Sequence, residues 1–419
     1  MDIGVGRGRK VTGTLLRGEA MSNLLTGGDL RAREHHRIED DARAAGPLHS
    51  ATRPDGVRVQ VVTVGLELAR KLLADKRLSK DSDALQNEIR RQFAEQGSTQ
   101  SELGGLFGPS MLNSDRPKHT RLRALAVKAF TAQAVEQLAP RIEEITAELI
   151  DRLPVGEEID LVKAFAVPMP LHIIGEVLGV PEKDRAEVRT LIETMMSMDH
   201  DVSQPASNAL GGYFHALLTG DELDESSLFG ALVAADDNGD HLTHDELMAM
   251  AFLLVVAGHE TTAALITNVV HDALDNELWE KAAADPGLVP LLVEETLRHN
   301  PPVRNATHRI TTEPLEIDGV TVPENTVVMI NFGAAGRCPV AHEDAARYRI
   351  DRPTTGHVAF GHGPHFCLGS GLARLETEIV LRELTSRFPR TTYSGHEQPA
   401  VTRNDIMASP KTLPLVLRR

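Results

Sequence analysis

Two stretches combine residue types that ordinary core packing does not call for. The first reads Phe360-Gly361-His362-Gly363-Pro364-His365-Phe366-Cys367-Leu368-Gly369. Its glycines let backbone pass close to a bulky flat object while amide N–H groups point at the Cys367 sulfur. A cysteine alone is ordinarily an inert core residue, so its neighbours carry this reading. Zinc held by His362, His365 and Cys367 is a competitor, weakened by offering three ligands on one tight loop without a CxxC partner. The second stretch, Gly258-His259-Glu260-Thr261-Thr262, interrupts an apolar run from Met248 to Val256. A carboxylate buried there must be paired, protonated or beside water in a cavity. Glu260 and Thr261 together form a polar pair within that apolar run. The plainer alternative is that Thr261 bonds back to the Ala257 carbonyl and bends the helix.

Two more pairs have helical spacing. Glu295 and Arg298, three apart, suit a structural ion pair, and His119 and Arg123, four apart, share one helix face. Three other signals fail. His259-Glu260-Thr261-Thr262 opens like HExxH, but Ala263 stands where the second histidine is needed. Asp236-Asp237-Asn238-Gly239-Asp240 starts like a calcium loop, yet His241 replaces the glycine and Leu247 the closing glutamate, leaving a polar turn before a helix. Gly4-Val5-Gly6-Arg7-Gly8 has no strand before it to make a dinucleotide loop.

These residues need a scaffold. Of 419 residues, 41% are apolar and 25% charged, values of a folded globular chain rather than a disordered or collagen-like one. A net charge of −16 argues against a general nucleic-acid binder, whose affinity comes from a basic surface. Two cysteines, Cys338 and Cys367, are too few for a disulfide framework and point to a reducing cytoplasm. The longest apolar run, Met248 to Ala257, is about half of the ~20 residues a membrane helix needs, so no membrane association is expected. Residues 1–20 carry Arg7, Arg9, Lys10 and Arg17 among glycines with no signal-peptide core, and read as a disordered tail before Met21. Residues 21–419, with no repeat and no long linker, read as one domain. Helical spacing recurs over 118–132, 134–153, 170–178, 183–198, 245–274, 289–299 and 369–387. Strand patterns are few: 58–64, 315–322 with an Asp318-Gly319 turn signal, and 326–331. The fold class is therefore mainly α with a minor β-sheet. Thr243-His244-Asp245-Glu246 fits a capping box that opens the helix carrying Glu260, and the apolar run after it predicts a helix buried all round.

Taken together, the cysteine segment matches FGxGxHxCxG, and the chain resembles the cytochrome P-450 superfamily, soluble bacterial type, at four further places. Ala257-Gly258-His259-Glu260-Thr261-Thr262 is similar to the family's oxygen-activating element. Glu295-Thr296-Leu297-Arg298 matches ExxR and is followed by Pro301-Pro302; His119-Thr120-Arg121-Leu122-Arg123 matches HxxxR. Leu372-Ala373-Arg374-Leu375-Glu376 resembles the LARxE run after the cysteine. The elements stand in the family's order from about Asp115 to Glu376. One departure is Gly336-Arg337-Cys338-Pro339, where Asn-Arg-Asp is common, which puts the usual local hydrogen bonds there in doubt.

The resemblance implies a single large helical domain enclosing haem b, iron protoporphyrin IX, with Cys367 as the iron ligand. It implies that His119, Arg123, Arg309 and His365 hold the propionates, with Phe360 and Gly369 completing the cofactor-binding loop. Gly258 would make room for oxygen, and Glu260 and Thr261 would relay protons to it through water. The implied activity is insertion of one oxygen atom from O2 into an apolar small molecule, a hydroxylation or epoxidation in polyketide- or macrolide-like secondary metabolism. Electrons would come from a ferredoxin or flavodoxin with its reductase, docking on the Cys367 face near Arg374. By the same analogy the substrate pocket is lined from 96–112, 195–218, 248–262, 302–306 and 406–407, with Met195, Met196 and Met198 as an adaptable lid. A peroxide-driven peroxygenase has no need of the Glu260–Thr261 pair, and neither does a non-catalytic haem sensor or binding protein.

Overall fold

A computed structural model describes residues 30–53, 55–97, 110–195, 200–352, 356–395 and 399–419. The expected tail at 1–20, much of the expected lining at 96–112, and Met196 and Met198 lie outside these residues. The helices are α1 (Ala32–Ala45), α2 (Leu66–Ala74), α3 (Ser82–Glu95), α4 (Lys118–Ala129), α5 (Ala132–Glu136) and α6 (Ala139–Asp151). There follow α7 (Pro168–Val177), α8 (Arg185–Met195), α9 (His200–Thr219), α10 (Leu228–Val233) and α11 (His244–Asp275). The chain closes with α12 (Trp279–Ala284), α13 (Val289–His299), α14 (Phe332–Gly336) and α15 (Ser370–Arg387).

Residues 118–153, expected as two helices, form three. Helix α4 stops at Ala129, Thr131 caps α5 by accepting from the Ala134 N–H, and Pro140 occupies the first turn of α6. The 183–198 pattern opens with a single 3-10 turn, Glu182–Asp184, before α8. Helices such as α3 were missed because their apolar stripe is narrow: Leu85, Ile89 and Phe93 are buried among charged neighbours.

The main sheet has five strands in the order Leu48–Thr52, Arg58–Val62, Val327–Ile330, Arg309–Thr311, Leu78–Ser79. Arg58–Val62 runs parallel to Val327–Ile330, and the other pairings are antiparallel. Leu315–Ile317 and Val320–Val322 form a hairpin whose turn places both Asp318 (φ 48°) and Gly319 (φ 82°) in the left-handed region, as the Asp-Gly signal requires.

Helix α11 threads the core and packs against α7, α9, α13 and α15. Its start is the expected capping box: Thr243 Oγ1 accepts from the Glu246 N–H, and Glu246 accepts from the Thr243 N–H. Among the described residues it is the helix long and apolar enough to cross a membrane, yet its neighbours make it the central helix of the fold. The expectation of all-round burial before the motif is corrected. Phe252, Leu253, Leu254 and Val256 are only partly buried and Ala257 is exposed, whereas Thr262–Ala273 is buried without a break. Apolarity alone does not tell a core wall from a cavity wall, since both exclude water. In the buried half Asn268 Nδ2 donates to the Asn300 carbonyl while its Oδ1 is left without a partner, and Asp272 accepts from Thr296 Oγ1 and Asn300 Nδ2.

The ExxR pair is structural. Arg298 and Glu295 are fully buried and joined by two hydrogen bonds of 2.7 and 2.6 Å. The remaining Arg298 donors go to the carbonyls of Gly336, Ala345 and Arg347. Gly336, the first residue of the departing Gly-Arg-Cys run, must be glycine: a Cβ there would collide with the Arg298 carbonyl oxygen.

Candidate active site

The cysteine segment bends from a 3-10 turn, Gly363–His365, into α15. Gly361 (φ 75°) and Gly363 (φ 73°) adopt left-handed backbone, and a Cβ on Gly363 would come 3.1 Å from that of Ala74 in α2. The Cys367 N–H donates to the Phe360 carbonyl at 2.8 Å, closing the loop, and the Gly369 N–H points at the Cys367 sulfur. Cys367 is open to a water-sized probe yet strongly desolvated, so its sulfur lies on an interior surface. Burial pushes its thiol pKa up, opposed by the Gly369 amide and by the positive charges of Arg123 and Arg374.

A buried cationic cluster stands beside it. The rings of His119, on α4, and His365, on the cysteine loop, lie 4.0 Å apart between centroids. Burial, together with the charges of Lys80, Arg309 and Arg123, pushes His365 down to about 2 and lowers His119 as well, so both rings are neutral. Lys80 (3% exposed) and Arg309 (5% exposed) are almost fully enclosed, and Arg123 is half-buried. Lys80 Nζ donates only to the neutral Thr307 hydroxyl, and Arg309 Nη1 to the Leu78 carbonyl. The acid in the cluster, Asp115, is engaged by the Ser79 hydroxyl and the Lys80 N–H. His119 Nε2 and Arg309 Nε are buried without a partner. Three cations against one carboxylate, with two orphaned N–H groups, is what two further carboxylates would complete, so these residues fit the propionates of a haem. Lys80 was missed in the sequence: it belongs to no motif, and only the tertiary fold brings it beside Arg309 and His365.

On α11, Leu253, Val256, Ala257, Glu260 and Thr261 form one accessible stripe at three- and four-residue spacing. Glu260 is reachable by water but desolvated, and burial raises its pKa, which places it on a cavity wall rather than in the core. Thr261 Oγ1 donates to the Ala257 carbonyl at 2.5 Å, so the plainer alternative for its hydroxyl is present. Gly258 also has a packing neighbour. A Cβ there would come 3.0 Å from Ile174 Cδ1 of α7, so its smallness is used in helix packing. His259 faces the buried side, held neutral with a pKa lowered to about 4 by burial.

The expected pocket segments partly converge. Val303 and Met407 pair with each other in an isolated antiparallel bridge and are both partly exposed, but Arg304, next to Val303, is fully buried on Glu39. No group of three or more His, Cys, Asp or Glu side chains arranged for a metal occurs among the described residues, so the zinc reading of His362, His365 and Cys367 is dropped. Arg374 is not a free docking cation: it is paired with Glu294 and stacked over Phe360.

Glu376, two residues further along α15, is buried with Oε2 unpartnered, and burial raises its pKa to about 8. Between its usual pKa of 4.5 and about 8, the unfolded chain releases this proton while the folded one keeps it. Stability should therefore fall as pH rises through that window, by about 1.4 kcal/mol per pH unit from this group. Glu376→Gln is expected to gain on the parent protein between pH 5 and pH 8 in urea melts; a pH-independent difference would refute this.

The chain thus sets a desolvated thiol beside a buried cationic cluster and carries a desolvated acid–alcohol pair on its central helix. The family profile for cytochrome P450 matches residues 279–417. Cytochrome P450 107B1 of Saccharopolyspora erythraea is 41% identical over 88% of this chain and 91% of its own. The 6-deoxyerythronolide B hydroxylase of the same organism is 34% identical over 83% of this chain and 87% of its own. The tirandamycin C-bound structure of the P450 monooxygenase TamI superposes with a TM-score of 0.80 at 34% identity, covering 93% of this chain and 98% of that one. Identity at this level over nearly the whole length, on a fold that already sets a glycine-ringed cysteine beside a carboxylate-hungry cluster, means that the chain belongs to the cytochrome P450 family of haem-thiolate monooxygenases.

Proposed function

We propose that Cys367 ligates the iron of haem b and that Lys80, His119, Arg123, Arg309 and His365 receive its propionates. The observation that carries this is the interior Cys367 sulfur with the Gly369 amide aimed at it. When bound, a thiolate-ligated haem supplies dioxygen activation, because its electron-rich iron favours O–O cleavage. Glu260 and Thr261 deliver the protons. The Glu260 carboxyl, its pKa raised by burial, holds a proton at the cavity wall. Thr261 Oγ1 accepts through its lone pairs and, once its own O–H turns from the Ala257 carbonyl, releases that proton onward. Phe360 and Gly369 hold the loop; Gly258 keeps α11 close to α7 so that Glu260 and Thr261 stay on the cavity face.

The substrate class that fits is a bulky, mostly apolar polyketide or macrolide, hydroxylated or epoxidised. Its support is the apolar stripe of α11 and the partly exposed Val303 and Met407, together with relatives that hydroxylate 6-deoxyerythronolide B or bind tirandamycin C. A ferredoxin or flavodoxin with its reductase supplies the electrons, in the cytoplasm. The presence of the Glu260–Thr261 pair favours dioxygen over peroxide as oxidant. Thr261→Ala is expected to consume reductant with little loss of rate while oxygenated product falls several-fold, read as the ratio of product to reductant oxidised. An unchanged ratio would remove the proton relay.

A further inference from the structure

We infer that Glu294, His357 and Arg374 form a charge-neutral clamp that positions the cysteine loop and sets the electrostatic field on Cys367 from behind. The inference rests on the haem-thiolate reading above. Arg374 of α15 directs Nε to Glu294 Oε1 at 2.5 Å and Nη2 to Oε2 at 3.3 Å, joining α15 to α13. Its guanidinium carbon lies 4.5 Å over the centre of the Phe360 ring, so one cation serves both an ion pair and a cation–π contact. His357 approaches the same carboxylate, Nε2 to Oε2 at 3.2 Å. The Ala359 N–H donates to His357 Nδ1 at 3.2 Å, which leaves the ring proton on Nε2, facing Glu294. The circuit therefore closes through the loop itself: Glu294 holds His357, His357 holds the Ala359 amide, Phe360 lies under Arg374, and Arg374 returns to Glu294. Inside it, the Phe360 carbonyl receives the Cys367 N–H.

The charges are as well matched as the geometry. Burial alone would raise the Glu294 pKa, but the bonds from His357 and Arg374 outweigh it and hold the group at about 2. Glu294 stays ionised and balances the charge of Arg374, the member of the pair whose charge acts on the nearby sulfur. With side-chain exposures of 5% for His357, 25% for Glu294 and 31% for Arg374, the pair is screened far less than a surface bridge. The LARxE arginine is thus engaged by the protein's own loop.

The test is the reduction potential of the haem-loaded protein, measured by spectroelectrochemical titration. Glu294→Gln leaves a bare guanidinium behind the cysteine, which favours the electron-richer reduced site, so the potential rises. Arg374→Gln leaves a bare carboxylate and the potential falls. The double variant is neutral again and returns close to the parent value. Opposite signs that cancel are an electrostatic signature that a merely structural role would not produce. Glu294→Asp, which keeps the charge, retains the parent potential and covers the case in which Arg374→Gln does not fold. Single variants that shift together or not at all, or Glu294→Asp shifting as far as Glu294→Gln, would overturn the clamp. A parent protein that binds no haem would instead overturn the reading on which it rests.

Discussion

Arg298→Ala is expected to give protein that does not reach a native state. The guanidinium is wholly enclosed and binds Glu295 through two bonds and three carbonyls, of Gly336, Ala345 and Arg347, through the rest. Its removal strands a buried carboxylate, which by itself costs about 3–5 kcal/mol. Each carbonyl left without a donor adds about 1–3 kcal/mol. Arg352, 3.4 Å from Glu295 through Nε, is the nearest replacement charge, too far for a good hydrogen bond, and of the three carbonyls it serves that of Arg347, through Nη2 at 3.2 Å. Against a total stability of about 5–15 kcal/mol, the loss removes most or all of the margin. Soluble yield and urea denaturation read the outcome. A soluble variant with a midpoint close to that of the parent would mean that the pair is not the structural tie described here.

Cys367→Ser is expected to behave oppositely: a folded protein without turnover. The side chain is small, lies on an interior surface rather than among packed atoms, and its backbone bond to Phe360 does not depend on sulfur, so stability should change by less than ~1 kcal/mol. Serine, however, stays a neutral alcohol at neutral pH, and the anionic ligand that favours O–O cleavage is lost. Reductant-dependent product formation should fall to background while the urea midpoint holds. Retained turnover would show that the chemistry does not pass through Cys367.

Elements with strong periodicity and explicit end signals were legible in the sequence. Helix α11 begins at its capping box, α13 spans Val289–His299 as its spacing indicates, and α15 ends at Arg387 as expected. Interruptions were harder. Thr131 and Pro140 divide what apolar spacing alone joins, because a cap and a first-turn proline act locally where periodicity averages over turns. The candidate site was legible where one segment holds its own chemistry, as in the cysteine loop. It was illegible where chemistry is assembled across the fold. Lys80 comes from the edge of the main sheet, and the engagement of Arg374 depends on Glu294, eighty residues away in sequence. Gly258 illustrates a third difficulty: its smallness was readable, but the neighbour packed closest to it, Ile174, was not.

The central claim is that Cys367 supplies a thiolate to a haem. It is tested most directly by the optical spectrum of the reduced protein under carbon monoxide, recorded beside that of Cys367→Ser. A strongly red-shifted Soret band in the parent, lost in the variant, is the expected result. A spectrum without haem absorption, or a band that is the same with and without Cys367, would contradict it.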